Sequence, residues 1–217
     1  MATQEELEQH EVEKLDRQPP PFPLTERDEW LLSISDDEFI PHSWDNLKHI
    51  IKTNTLEELL RKPSSLRRYL SWSHATQIQY GSTTAYLIQH RLPWGSPPFT
   101  YISSIPFRCP SDYKILLNDW PYGVEDDITH IVVWSKTPIA INEAGDLTEE
   151  SRAVIEGFVG RVFADRVGRE KGSVVWFKNW AQLQSVRALE HIHVLVRNAT
   201  KDDLEFWTGE KVRIEET

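Results

Sequence analysis

The chain has 217 residues, 39% apolar and 27% charged, with a single cysteine and a formal net charge of -10; that size and apolar content suit one globular domain better than two. Cys109 closes no internal disulfide and has no partner at zinc-ligand spacing, which excludes a disulfide scaffold and a cysteine-based metal module and points to a reducing compartment. The first 25 residues lack the apolar core and basic leader of a signal peptide, and no apolar run approaches the roughly 20 residues that cross a bilayer, so the expectation is a cytoplasmic or nuclear protein without a membrane partner.

In chain order, residues 1–25 are polar and acidic and end in Pro-Pro-Pro-Phe-Pro, and so read as a disordered or loosely attached arm. Residues 26–217 read as one domain, with a helical part over 36–95 and a sheet part over 98–200. Residues 1–58 hold 15 Asp/Glu against 5 Lys/Arg, which accounts for the whole excess of negative charge. Ser43 can cap a helix in which Leu47, Ile50 and Ile51 recur, and Thr55 with Glu58 suggests a capping box before Leu59, Leu60 and a stop at Pro63. Ser64 or Ser65 can start the next helix, with Leu66, Tyr69 and Leu70 on one face and Arg67 and Arg68 elsewhere, until Gly81 breaks it. Ser82 precedes a short helix through Tyr86 to Arg91, closed by Pro93.

After Pro98 the pattern becomes extended. Runs FTYIS, YKILLND, HIVVWSK, SVVWFK and HIHVLVR are short and rich in β-branched and aromatic residues, so each reads as a strand. One long helix interrupts them, capped by Asp146 or Thr148, repeating Val154, Ile155, Phe158, Val159, Val162 and Phe163, and ending at Gly168. Helices first and then strands with one helix laid across them predict an α+β domain with a mainly antiparallel sheet.

Three places can carry chemistry. On the last strand, period-two geometry puts His191, His193 and Leu195 on one face and Glu190, Ile192, Val194 and Val196 on the other. Two adjacent imidazoles can act as base and nucleophile, bind an anion when protonated, ligate a metal, or simply pack in the core; no third ligand stands at a recognisable spacing, so no metal is expected. The second place is Asn118-Asp119-Trp120-Pro121-Tyr122-Gly123 with Glu125, Asp126 and Asp127, where carboxylates can receive a guanidinium or ammonium group, or merely solvate a turn. The third is the window Leu59 to Ser111, which has no acidic residue but contains Arg61, Lys62, Arg67, Arg68, Arg91 and Arg108 near Tyr69, Trp72 and Tyr80. Those are the ingredients of phosphate contact with base stacking, although the aromatics also suit a core. Walker, GxSxG, HExxH, zinc-deaminase and GxGxxG patterns are all absent, and no cofactor is expected.

The turn Asn118-Asp119-Trp120-Pro121-Tyr122, the run THIVVWSK, and Gln184-Ser185-Val186 followed by Glu190-His191-Ile192-His193 resemble the histidine-triad superfamily. With one residue inserted after Val186, His191 falls on that family's nucleophilic histidine and His193 on its last, while Leu189 replaces the first. Over residues 36–200, the segments LRRYLSWSHATQIQYGSTTAYLIQHRLPW, SDYKILLNDWPYGVEDDITHIVVWSKTPI and WFKNWAQLQSVRALEHIHVLVRN are similar to the fungal N-acetylglucosamine-induced protein 1 family, which includes arginine-containing cyclodipeptide synthases. That resemblance implies an aminoacyltransferase using arginyl-tRNA and a second aminoacyl-tRNA. His191 or His193 would then take the proton of the attacking amine, and Glu190, Asp119 or the Glu125, Asp126, Asp127 cluster would hold an ammonium or guanidinium. Arg67, Arg68 and Arg187, with Arg61, Lys62 and Arg91, would meet tRNA; Trp120, Tyr122 and Trp180 would wall a side-chain pocket, and Ser185 or Tyr122 would be acyl acceptors. The rival implications are a histidine-triad-like nucleotidyl hydrolase or transferase acting through His191, and a non-catalytic protein responsive to amino sugar.

Overall fold

The structure is a computed structural model that describes Pro20 and residues 22–168 and 172–211, so nearly all of the expected N-terminal arm lies outside the described residues. Helix α1 (Glu26–Leu32), which the sequence reading omitted, is capped by Thr25 in a reciprocal pair of bonds with Asp28. Helix α2 (Trp44–Thr53) begins at Ser43 as expected, buries Trp44, Leu47 and Ile50, and ends on Asn54 in the left-handed conformation. The capping box expected at Thr55 is not formed: the Thr55 hydroxyl lies 3.0 Å from that of Thr53, and only a single 3-10 turn, Leu56–Glu58, follows.

Helix α3 (Pro63–Tyr80) starts before either expected serine. Proline suits its first turn because the missing N–H would be unpaired there anyway, and the next amide is capped from a distance: Ser64 donates its N–H to Asp36 at 2.9 Å. Gly81, at φ 78, ends α3, and Ser82 caps α4 (Thr83–His90). The run FTYIS is not a strand. Two adjacent amides of the run, those of Ile102 and Ser103, both donate to the buried Asp112 carboxylate, which breaks the alternating pattern that a ladder needs.

The other four strands form as expected: β1 (Tyr113–Leu117), β2 (Ile128–Ser135), β3 (Val174–Phe177) and β4 (Glu190–Arg197). They make one antiparallel sheet in the order β1-β2-β4-β3. Thr148 caps α5 (Glu149–Val159), which runs on through a π-helical turn, Gly160–Ala164, to the break at Gly168. A last helix, α6 (Lys201–Thr208), which the sequence reading omitted, follows β4; Thr200 and Asp203 form its capping box.

Alternation along the central strands sorts the core. Ile131, Val133, Ile192, Val194 and Val196 pack with Ile155, Phe158 and Phe163 of the long helix. The other face presents Val132, Trp134, His191, His193 and Leu195 toward the helical part. Each fully buried aliphatic or Phe side chain contributes about 1.5–3 kcal/mol, so a one-residue slip of β4 would exchange imidazoles for valines in the helix-covered core. Among the described residues no helix is long and apolar enough to cross a membrane.

The loop after β1 ties the helical part to the sheet. Gly123 donates its N–H to the Leu60 carbonyl and accepts from the His42 N–H, both at 2.8 Å. A Cβ there would overlap the Phe39 ring, so Gly123→Ala is expected to lower unfolding free energy by about 1–3 kcal/mol through overpacking. Urea denaturation measures this, and an unchanged midpoint would mean that Phe39 moves aside freely.

Candidate active site

A cleft enclosing about 820 Å³ of non-protein space, mouth included, lies over the imidazole face of the sheet. Its floor is Leu116, Val132, Trp134, His191 and His193; its walls are Tyr69 and Trp72 of α3, Thr83 and Leu87 of α4, the Asn118–Tyr122 turn, and Asn179 with Leu183–Val186. Among the described residues that line it, Arg61 is the one Lys or Arg side chain and Asp119 the one carboxylate. The Arg61 guanidinium sits 4.3 Å from the Tyr69 ring centroid and its Nε donates to the Trp120 carbonyl at 3.2 Å, a cation held by π faces and a backbone dipole.

Hydrogen-bond directions fix the proton on each imidazole. His191 donates from Nδ1 to the Leu189 carbonyl at 2.8 Å, so its Nε2 carries a lone pair, and that atom has no hydrogen-bond partner among the described residues. His130, on β2, receives the Tyr122 backbone N–H at Nδ1, 3.3 Å away. Asn118 does not discriminate between the two ring nitrogens: its oxygen accepts the Trp120 N–H at 2.9 Å, and its amide nitrogen lies 3.3 Å from His130 Nδ1 and 3.2 Å from Nε2. A backbone N–H can only donate, so the His130 hydrogen is on Nε2 and goes to His193 Nδ1 at 2.9 Å. The His193 hydrogen is then on Nε2, 3.3 Å from the Asn179 amide. The atom facing it is the amide nitrogen, which also donates to the Tyr122 hydroxyl at 3.3 Å; turning the amide over would bring its oxygen, buried and without a partner, to that N–H. His193 thus has no spare lone pair, and of the two expected candidates only His191 offers one to the cleft.

All three rings are neutral near pH 7. Burial pushes His191 down to about 4 and His130 down to about 3, and it holds His193 well below the ordinary value, with His130 and His191 adding to the effect. Anion binding by a protonated pair, one of the sequence-based readings, does not fit these rings.

The structure brings together His191, His193, Asp119, Trp120, Tyr122, Ser185 and Arg61. It separates others. Glu190 alternates away from the imidazoles and pairs with Lys178 at 3.4 Å, so it does not share their face of the sheet. Trp180 lines a different hollow with Ile51, Arg152 and Trp176. Glu125 and Asp126 line a third with Lys62, Glu125 also accepting the Trp44 N–H, and Asp127 is bound to Arg197 at 2.6 Å; none of the three reaches the cleft. Asp119 does, while holding the Arg91 guanidinium at 2.6 Å on both oxygens. Arg68 and Arg187 are exposed and Arg67 is half-buried; none lines the cleft, although Arg67 and Arg68 share a helix with Tyr69 and Trp72.

Sequence reasoning missed His130 and Asn179. The first was legible: His130, Val132 and Trp134 alternate with Ile131 and Val133, the same pattern that exposed the β4 pair. Asn179, in the loop after β3, carries no such signal. Among the described residues no group of three or more His, Cys, Asp or Glu side chains is arranged to hold a metal ion.

A family model described as "Protein of unknown function (DUF3605)" matches residues 43–197. N-acetylglucosamine-induced protein 1 of Candida albicans is 30% identical over 176 residues, 73% of this chain and 69% of that protein. Uncharacterized protein YPL067C of Saccharomyces cerevisiae is 28% identical over 156 residues, 70% of this chain and 77% of that one. The sequence-level likeness to N-acetylglucosamine-induced protein 1 is therefore borne out. The crystal structure of HTC1 matches with a TM-score of 0.63 at 24% identity, covering 77% of this chain and 93% of HTC1, which is a likeness of fold.

The buried neutral rings make stability depend on pH. Between about 6.5 and 4 the unfolded chain binds protons that folded His191 and His130 refuse, so stability is full above 6.5 and declines as pH falls, by up to about 1.4 kcal/mol per pH unit per imidazole. Urea midpoints at pH 7 and pH 5 are expected to differ accordingly, with His191→Gln reducing the difference; equal midpoints in the parent protein would mean that these rings are protonated in the fold.

Proposed function

The chain belongs to the DUF3605 family of unknown function, and we propose that its cleft performs tRNA-dependent acyl transfer, joining an arginyl and a second aminoacyl group into a cyclic Arg-Xaa dipeptide. The observation that carries this reading is His191, whose Nε2 lone pair opens into an aromatic cleft beside one cation and one carboxylate.

Aminoacyl-tRNA is already an activated ester, so the protein needs to supply position, a proton acceptor and charge stabilisation rather than a nucleotide-activating site. The α-amine of one aminoacyl group attacks the ester carbonyl of the other; His191 Nε2 takes the amine proton and returns it to the departing 3′ oxygen of tRNA. A second attack, by the free amine of the dipeptidyl ester on its remaining ester, closes the ring and releases the other tRNA. Arg61, the cation of the cleft lining, would stabilise the oxyanion or an RNA phosphate. Anionic RNA in the cleft also raises the proton affinity of His191, which burial alone depresses. Asp119 already accepts a guanidinium from Arg91 while keeping 43% of its side chain exposed, which suits it to share that role with a substrate arginine. Ring faces of Tyr69, Trp72 and Trp120 wall the remaining space.

A histidine-triad-like phosphate chemistry is less well supported. Leu189 stands where its first histidine would be, and the imidazoles are neutral rather than cationic toward a phosphate. Purified protein incubated with arginyl-tRNA and mixed aminoacyl-tRNAs is expected to release a cyclic Arg dipeptide by mass spectrometry, and His191→Ala to slow this by about a hundredfold or more. Release of a nucleoside monophosphate from dinucleotide or phosphoramidate substrates, with no dipeptide, would contradict the reading; no product from either set would favour a binding role.

A further inference from the structure

The cleft continues beyond its lining. In its wall Trp72 and Trp120 have ring centroids 5.2 Å apart; Trp72 meets Tyr86 edge-on at 5.3 Å, and Tyr86 continues to Tyr80 at 5.3 Å and to His90 at 4.9 Å. This row runs from the cleft onto the α3–α4 hairpin, where Tyr80 and Tyr86 are only half-buried and His90 is exposed. The hairpin is poorly buried as a whole: α3 buries Pro63, Leu66 and Thr76, and α4 buries only Leu87. The rings are therefore partly open to solvent, while Tyr86 also packs against the core cluster of Leu87, Leu92 and Trp134.

The charge around them is equally one-sided. Neither α3 nor α4 contains an acidic residue, in a protein of net charge -10, and Arg68 stands exposed on α3. A row of accessible rings on a hairpin without acidic residues, the nearby Asp119 and Glu210 being paired with Arg91, accepts unpaired bases, whose faces stack without sequence preference while cations track the backbone. A duplex hides those faces. We infer that the α3–α4 ring row receives the unpaired bases at the 3′ end of an RNA strand and directs its terminal ribose into the cleft. The inference rests on the acyl-transfer reading, since that reading places an RNA 3′ end beside His191.

The test is fluorescence polarisation with a labelled single-stranded RNA and the same strand annealed to its complement. The single strand is expected to bind at least tenfold more tightly. Replacing both rings, Tyr80→Leu with Tyr86→Leu, weakens it by about tenfold or more, while Tyr80→Phe with Tyr86→Phe retains it. Arg68→Glu, at an exposed position, lowers affinity and reduces the salt slope. Equal affinity for duplex, or no loss in either the leucine pair or Arg68→Glu, overturns the inference. Oligonucleotide binding requires no acyl group. Strand-selective binding without any cyclic dipeptide therefore removes only the acyl-transfer reading, whereas wild-type dipeptide synthesis by the leucine pair removes only the ring row.

Discussion

The controlling constraint is that β4 is buried on both faces. Ile192, Val194 and Val196 lie at 0% exposure against the long helix, and His191 and His193, on the other face, at only 5% and 7%. Burial of that degree costs a charged imidazole its hydration, so the rings persist as neutral, directionally hydrogen-bonded groups. Neutrality in turn makes the proton positions definite. His130 and His193 spend their lone pairs on each other and on Tyr122, and His191 alone retains one. The same packing that fixes the strand register fixes which nitrogen can accept a proton.

Alternation was the most readable property of the sequence. It placed four strands, and it put the β4 imidazoles on the face where the cleft lies, because a period of two cannot be satisfied any other way on a strand with a valine-rich reverse side. Serine and threonine caps located α2, α4 and the long helix for an equally local reason. What escaped was non-local. Asp36 caps α3 from the loop between α1 and α2, and Asp112 takes up two amides of FTYIS, those of Ile102 and Ser103. The omitted α6 is the exception, since its Thr200–Asp203 box is a local signal.

The site shows the same division. Asp119 and Tyr122 were recognisable because the Asn118–Gly123 turn ends a strand, and Arg61 because it opens the acid-free window. Acids close in sequence to Asp119 were misjudged together: Glu125, Asp126 and Asp127 lie a few residues on, but the bend at Gly123 sends them to another surface, where Arg197 and the α2 amide engage two of them. Asn179 comes from a loop and joins the site only through the imidazole chain. Spacing along a strand therefore predicts the side chains of a floor, whereas walls assembled from loops depend on contacts between distant segments.

The acyl-transfer proposal needs one imidazole in a single tautomer with its reactive nitrogen open, and no protonated partner beside it. Long-range proton–nitrogen NMR of the histidine side chains, followed through pH, reads this directly. The account predicts His191 with hydrogen on Nδ1 and a bare Nε2, unprotonated down to about pH 4. A His191 that carries hydrogen on Nε2, or that titrates near pH 6.5, would contradict it.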